Sequence, residues 1–188
     1  MIDAIAWKRR LEGHTAWMLI RRETPADLAA VRAVTIASSH KPYEEEPVEV
    51  MLRDALRRGE HWIPALSLVA EDVDGAIIGH ALCTWGRIGA VRVPNLSLLG
   101  VNGEHRRRGC GTALVHATLA AADALDAPMV VVLGDPDFYG RFGFRPSTDF
   151  GIVGEEPAWE HLFQIRTLAA YDPSVRGEFI YPEPFGNV

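Results

Sequence analysis

No apolar run in this 188-residue sequence approaches the ~20 residues a membrane-spanning helix needs, so no membrane partner is expected. The first residues, Met1-Ile2-Asp3, bring an acid at once and no apolar stretch behind a basic one, which speaks against a secretory signal. Cysteine is scarce. Cys83 and Cys110 are the two in the chain, and their separation is not that of a metal site, so the expectation is a reduced, cytoplasmic protein without a metal. Positive charge is short as well: 19 Lys and Arg against 25 Asp and Glu give a net charge of -6, which argues against nucleic acid as a partner. Repeats and low-complexity segments are missing too.

What is present suits one compact domain. Apolar residues make up 48%, enough for a core, and charged residues 23%, too few for disorder. Residues 1–16 show no clear strand or turn logic. A strand signal starts near Trp17. Thr24-Pro25-Ala26-Asp27 reads as a helix start, with Thr24 as N-cap and Pro25 in the first turn, and Pro42 as its end. A second helix opens at Glu44-Glu45-Glu46-Pro47 and stops at Gly59. Strands over residues 66–71 and 76–85 flank the hairpin signal Asp74-Gly75. Another strand covers 95–101, where Gly100 suggests a bulge. A long helix spans about 111–125, with Leu114, Thr118, Ala121 and Leu125 on one face. The continuous run 129–133 reads as a strand covered on both faces. A short helix over 138–142 ends at Gly143, and strand-like pieces recur at 162–168 and 178–181. The order β-α-α-β-β-β-α-β-α-β predicts an α/β (α+β) fold. Its sheet is mostly antiparallel, with one parallel strand–helix–strand unit over 96–133.

The informative segment is the loop Glu104-His105-Arg106-Arg107-Arg108-Gly109-Cys110-Gly111-Thr112. It joins a strand to the start of the longest helix. Gly109 and Gly111 let the backbone turn and come close to a ligand. A helix N-terminus leaves N–H groups unpaired and carries partial positive charge, so the segment is a candidate phosphate or pyrophosphate site. The competing reading is a solvated turn with surface arginines. A P-loop would need a lysine before Thr112, where Gly111 stands. A dinucleotide fold would need a third glycine where Leu114 stands, although Asp135 after the next strand would suit a ribose, so that reading stays as an alternative.

The pattern Arg106-x-x-Gly109-x-Gly111 between a strand and a helix resembles motif A of the GNAT acetyltransferases. The element Asp137-Phe138-Tyr139-Gly140-Arg141-Phe142-Gly143-Phe144 resembles the family's Phe-Tyr-x-x-x-Gly-Phe signature, about 30 residues downstream as in that family. Gly134-Asp135-Pro136 and the ending Tyr181-Pro182-x-Pro184-Phe185 look like one predicted-acetyltransferase branch. The resemblance plausibly covers residues 18–153. It implies a 1–17 extension and a single domain over 18–188 with a C-terminal arm from about 155. It further implies acetyl-CoA as co-substrate and an N-acetyltransferase that uses direct attack of an amine in a ternary complex. By resemblance, Leu99, Gly100 and Val101 would pair with pantetheine. Arg106, Arg107, Arg108, Gly109, Cys110, Gly111 and Thr112 would hold the pyrophosphate, Phe138 would touch the cofactor, and Tyr139 would be the general acid.

A general base is not legible: His80 lies on a predicted strand, and His40 and His61 flank the second helix. Cys110 at a helix start has the lowered pKa of a nucleophile as one reading, and a small packing residue as the better one. The acceptor is a small-molecule or peptide amine. Glu44, Glu45 and Glu46 are candidates for attracting its charge, with a solvated helix start as the competing account. A homodimer is compatible with the pattern. The non-catalytic alternative is an acetyl-CoA-binding sensor or partner subunit.

Overall fold

The structure is a computed structural model that describes residues 4–11, 14–39, 47–183 and 185, and side chains from Met18 onward. Strands β1 (Ala4–Leu11) and β2 (His14–Arg22) form an antiparallel hairpin. A 3-10 turn over Pro25–Asp27 leads into α1 (Leu28–Ser38), and α2 (Val48–Arg58) follows. Three long antiparallel strands come next: β3 (Trp62–Asp72), β4 (Ile77–Ile88) and β5 (Val91–Val101). After α3 (Cys110–Asp123), β6 (Met129–Leu133) runs parallel to β5. The chain continues through α4 (Pro136–Tyr139) and the two-residue strands β7 (Arg145–Pro146) and β8 (Ile152–Val153). It closes with β9 (Phe163–Thr167) and β10 (Gly177–Ile180).

The sheet order is β1-β2-β3-β4-β5-β6-β9-β7, with β10 on β4 and β8. Among the described residues only β5–β6 and β8–β10 pair in parallel. The predicted α/β sheet, mostly antiparallel with a parallel β5-α3-β6 unit, is therefore the observed one, and the doubly wound dinucleotide fold is not. Each face carries its own apolar cluster. Leu66, Ala81, Leu96 and Val130 pack under α3 through Ala113, Leu114 and Ala117. Val93, Met129, Val131, Phe163, Ile165 and Phe179 fill the other cluster. The run 129–133 alternates between them, which is why it reads as unbroken apolar sequence. Burying one such Leu or Phe side chain contributes about 1.5–3 kcal/mol.

Several expectations needed correction. The first strand starts at His14 rather than Trp17, and residues 4–11, which showed no pattern, form β1. An edge strand is held by backbone pairing to its neighbour and needs little pattern of its own. β5 begins at Val91, because Pro94, a strand breaker in isolation, is accommodated opposite Trp85. The bulge falls at Ser97, skipped between the pairs Leu82↔Leu98 and Cys83↔Leu96. Gly100 stays in register opposite His80. Its missing side chain admits α1: a Cβ there would lie 2.6 Å from Ser38 Oγ. Thr24 is the N-cap and Pro25 opens the first turn as expected, but that turn is 3-10 and the α-helix proper begins after Asp27, whose carboxylate accepts from the Thr24 N–H at 2.8 Å and binds the Arg21 guanidinium through both oxygens. α3 ends at Asp123, so Leu125 lies beyond it, 44% exposed, and Ala122 is buried instead. The segment from 155 supplies β9 and β10 to the sheet.

Pairing of β2 with β3 runs from Met18↔Asp72 to Arg22↔Leu68, so that ladder lies wholly at or after Met18. We propose that residues 18–188 form the domain and that residues 1–17 extend its sheet at one edge. Deleting residues 1–17 is expected to leave a soluble, cooperatively folding protein with unchanged acetyl-CoA affinity. Circular dichroism melts and calorimetry check this, and insoluble protein would show that the hairpin is integral.

Candidate active site

After Asn95↔Val131, the one recorded pair between them, β5 and β6 part. β5 runs on for six residues to Val101 and β6 for two to Leu133, which leaves a wedge between two strands that start as neighbours. The N-terminus of α3 faces the mouth of this wedge. Gly109 is its N-cap in the left-handed region (φ 92°), a conformation that favours glycine. Gly109 C=O accepts from Ala113 N–H at 2.9 Å, and the N–H groups of the first helical turn point out of the helix end. Arg107 is also left-handed (φ 58°).

A cleft of about 720 Å³ opens here, lined by Leu99 and Val101 of β5, Gly109, Gly111 and Thr112 of the loop and α3, and Phe138 and Tyr139 of α4. Arg106, Arg107, Arg141 and His105 bring cationic or ionisable groups to it, against the one carboxylate, that of Asp135, among the described lining residues. Of the residues expected there, Gly100, Arg108 and Cys110 do not line it. Gly100 faces α1. Arg108 is exposed. Cys110 is 2% exposed in the core beneath α3. Burial pushes its thiol up to about 12, overriding the helix end, so it remains protonated and packs as a small apolar group. Arg106 is tied back by its side chain: Nη2 donates to Ser38 C=O at 3.1 Å and Nε to Val101 C=O at 3.4 Å, fixing the C-terminus of α1 against β5.

The segment 134–144 is built around Tyr139. Asp135 caps α4 by accepting from Asp137 N–H at 2.9 Å, and Pro136 takes the first helical position. The Asp135 read as a ribose acid is thus a helix cap on the cleft rim. A Cβ at Gly134 would lie 2.5 Å from the Tyr139 ring, so only glycine leaves room for it. Phe138 and Phe144 meet that ring edge-on at 4.9 and 5.5 Å. Tyr139 is 8% exposed, and burial, with Cys83 nearby, raises its hydroxyl well above the ordinary phenol range, which keeps it neutral and a donor. Sequence reasoning missed Ser38, His105 and Arg141 as lining residues. For Arg141 a signal existed: three residues after Phe138 in a helical segment, its guanidinium sits 4.8 Å over that ring.

Of the three histidines weighed as base, the two described ones, His61 and His80, do not line the cleft. His40 and the Glu44–Glu46 stretch lie outside the described residues. His61 lines a separate surface hollow with Trp85 and Arg87. His80 is 2% exposed beneath α2, where its Nε2 sits 3.2 Å from Glu23 Oε2. Ser67 Oγ donates to the same oxygen at 2.5 Å, and Arg57 donates to Oε1. Burial opposes charge on Glu23, but the hydrogen bonds from His80, Ser67 and Arg57 outweigh it and hold the carboxyl down at about 2. Burial pushes His80 below the usual imidazole value against the pull of Glu23, so the ring is neutral and donates through Nε2. Among the described residues no three His, Cys, Asp or Glu side chains gather as metal ligands, and no helix is long and apolar enough to cross a membrane.

The family model described as an acetyltransferase (GNAT) domain matches residues 60–146, from the start of β3 through the Tyr139 element. A GNAT family acetyltransferase from Brucella melitensis, solved with acetyl-CoA, is 30% identical and superposes with a TM-score of 0.70 over 89% of this chain and 97% of that one. The chain belongs to the GNAT family of acetyltransferases. It is also similar to the Escherichia coli protein called uncharacterized N-acetyltransferase YhbS, 29% identical over 81% of this chain and 88% of that protein. The YhbS structure in complex with CoA gives a TM-score of 0.80 over 90% of this chain and 92% of that one. The protein is thus an acyltransferase of GNAT fold.

Glu23 has a folded pKa below its ordinary 4.5, so its contribution is complete above about pH 4.5 and is lost as pH falls towards 2. Glu23→Gln leaves Arg57 buried without its counter-charge and is expected to cost about 3–5 kcal/mol at pH 7. Denaturant melts of parent and variant should converge as pH drops from 5 to 2. A gap independent of pH would show that Glu23 is not ionised in the fold.

Proposed function

We propose that the chain transfers the acetyl group of acetyl-CoA to an amine by direct attack in a ternary complex. One observation carries the reading: the free end of α3, the cations Arg107 and Arg141, and Tyr139 line a single cleft at the wedge between β5 and β6. The CoA and acetyl-CoA held by the Escherichia coli and Brucella relatives support it. The cleft fits the group in kind, since amides of a helix start and guanidinium groups are what a pyrophosphate needs.

In this reading the backbone of Leu99, Gly100 and Val101, beyond the last β5–β6 pair, takes the place of a sheet neighbour for the pantetheine arm. A strand N–H polarises the thioester carbonyl, a contribution of about 3 kcal/mol or more. The N–H groups of Gly109, Cys110, Gly111 and Thr112 face the pyrophosphate, and Arg107 and Arg141 add charge around it. Arg106 acts through its backbone, since its guanidinium is committed to Ser38 and Val101. The amine lone pair forms the N–C bond and the C–S bond breaks with its electrons on sulfur. One amine proton goes to solvent, and the sulfur receives one through Tyr139. Burial makes the phenol a weak acid but a reliable donor, so Tyr139 acts where negative charge has built up on sulfur. Both cysteines are buried and unpaired, which suits a reducing, cytoplasmic setting.

Acetyl-CoA should raise the melting temperature and NAD should not. The reverse pattern would overturn the cofactor assignment. Tyr139→Phe should keep acetyl-CoA affinity and lower kcat by about 100-fold, within the range of general acid catalysis, with KM for acetyl-CoA little changed. Gly111→Val tests the cradle. A Cβ at Gly111 meets Phe138 at 3.5 Å, an ordinary contact, so the fold should survive while acetyl-CoA affinity falls. Tight acetyl-CoA binding with no CoA released by any amine would make the protein a sensor.

A further inference from the structure

A second cavity lies where β5 leaves β6. On the side away from α3, this smaller cavity of about 210 Å³ is lined by Ser97 of β5, Leu133 at the end of β6, and Glu155, Glu156, Trp159 and Tyr181 of the C-terminal segment. Ser97 is the bulge residue. Its Oγ bonds Thr84 Oγ1 at 2.8 Å and Asn95 Nδ2 at 3.1 Å, which makes a polar floor where β5 leaves β6. The walls are aromatic: the Tyr181 ring packs against Phe179 at 4.9 Å and Phe185 at 5.0 Å. Leu133 and Trp159 are 39% and 53% exposed, so two large apolar side chains stand in water at this cavity. Among the described residues the lining carries two carboxylates and no cationic side chain. Each carboxylate is oriented by a backbone N–H through Oε1, Glu155 from Tyr181 and Glu156 from Ala158, both at 3.1 Å.

We propose that this cavity is the acceptor subsite and that it takes an arylalkylamine, one aromatic ring on a short chain ending in a primary amine. The proposal rests on the transferase reading above and adds the acceptor's class. Two carboxylates without a counter-charge attract the ammonium form from solution. The faces of Trp159, Tyr181 and Phe185 hold a flat apolar body. Size limits the occupant: an engineered cavity of about 150 Å³ holds one benzene, so about 210 Å³ suits one ring and a short tail rather than an oligosaccharide or a peptide. The amine end faces Ser97 and the wedge, through which it meets the acetyl carbon presented from the α3 side. The ammonium gives one proton to solvent, its nitrogen forms the N–C bond and gives up a second proton to solvent as the amide forms, and the C–S bond breaks with its electrons on sulfur, which receives a proton through Tyr139.

The test compares phenethylamine, spermidine, kanamycin and a lysine-containing peptide as acceptors by CoA release. Phenethylamine binding is measured by calorimetry on the parent, Trp159→Ala and the double variant Glu155→Gln/Glu156→Gln. Glutamine keeps the oxygen that accepts from Tyr181 and Ala158, so the double variant retains the local fold. Phenethylamine should be the best substrate. Its KM and its dissociation constant should rise about tenfold in either variant, the loss of one good contact, while the thermal shift by acetyl-CoA stays as in the parent. Preference for spermidine, kanamycin or the peptide, or phenethylamine constants unmoved by both variants, overturns the inference and leaves the transferase standing. No shift with acetyl-CoA and no acetylation of any amine overturns the transferase reading itself. If acetyl-CoA binds but nothing is acetylated, calorimetry decides, and absent phenethylamine binding overturns the subsite.

Discussion

Beyond Asn95↔Val131, β5 and β6 no longer share backbone hydrogen bonds. Unpaired backbone groups are tolerated in a fold only where something else satisfies them, and here the opening leads to cavities on both sides of the sheet. The bulge at Ser97 accompanies the divergence: one extra residue in β5 turns its later part relative to β4, and the Ser97 hydroxyl ties the loosened point to Thr84 and Asn95. A helix whose N-terminus faces the mouth of the opening and a buried tyrosine at its side complete an arrangement suited to a thioester threaded between two strands.

The rest of the molecule holds that opening rigid. Arg106 ties the end of α1 to β5, and Gly100 lets the helix come that close. On the far side of α1, the buried Glu23 collects donors from β3, β4 and α2 through Ser67, His80 and Arg57. Such a cluster is expensive to desolvate and specific in geometry. It locks α2 onto the sheet and takes His80 out of the chemistry. The cleft therefore offers backbone amides, guanidinium groups and one phenol, and Gly109 and Arg107 take left-handed conformations at the helix start.

Much of this was legible in the sequence wherever a local rule has a local cause. Gly109 and Gly111 before a helix and the unbroken apolar run 129–133 each follow from the chain's own geometry. The Phe138–Phe142 stretch is the expected short helical segment ended by Gly143, and the structure adds that Tyr139 is buried and lines a cleft. What failed depended on distant partners. β1 has no pattern because its neighbour defines it. Gly100 suggested a bulge but answers to Ser38. His80 looked like a candidate base until Glu23, fifty-seven residues away, was seen beside it.

The sequence by itself determined the elements and the chemistry of the loop, since hydrophobic period, glycine conformation and helix ends act over a few residues. It also carried the family, because two short motifs in fixed order report one fold. Only the tertiary structure decided where β5 and β6 part and that Ser97 carries the bulge. The same is true of the joining of Arg141 to Arg106 and Arg107 around one cleft, and of Glu155 and Trp159 to the far side of the wedge. These are contacts between segments tens of residues apart, set by packing and pairing that no local pattern records.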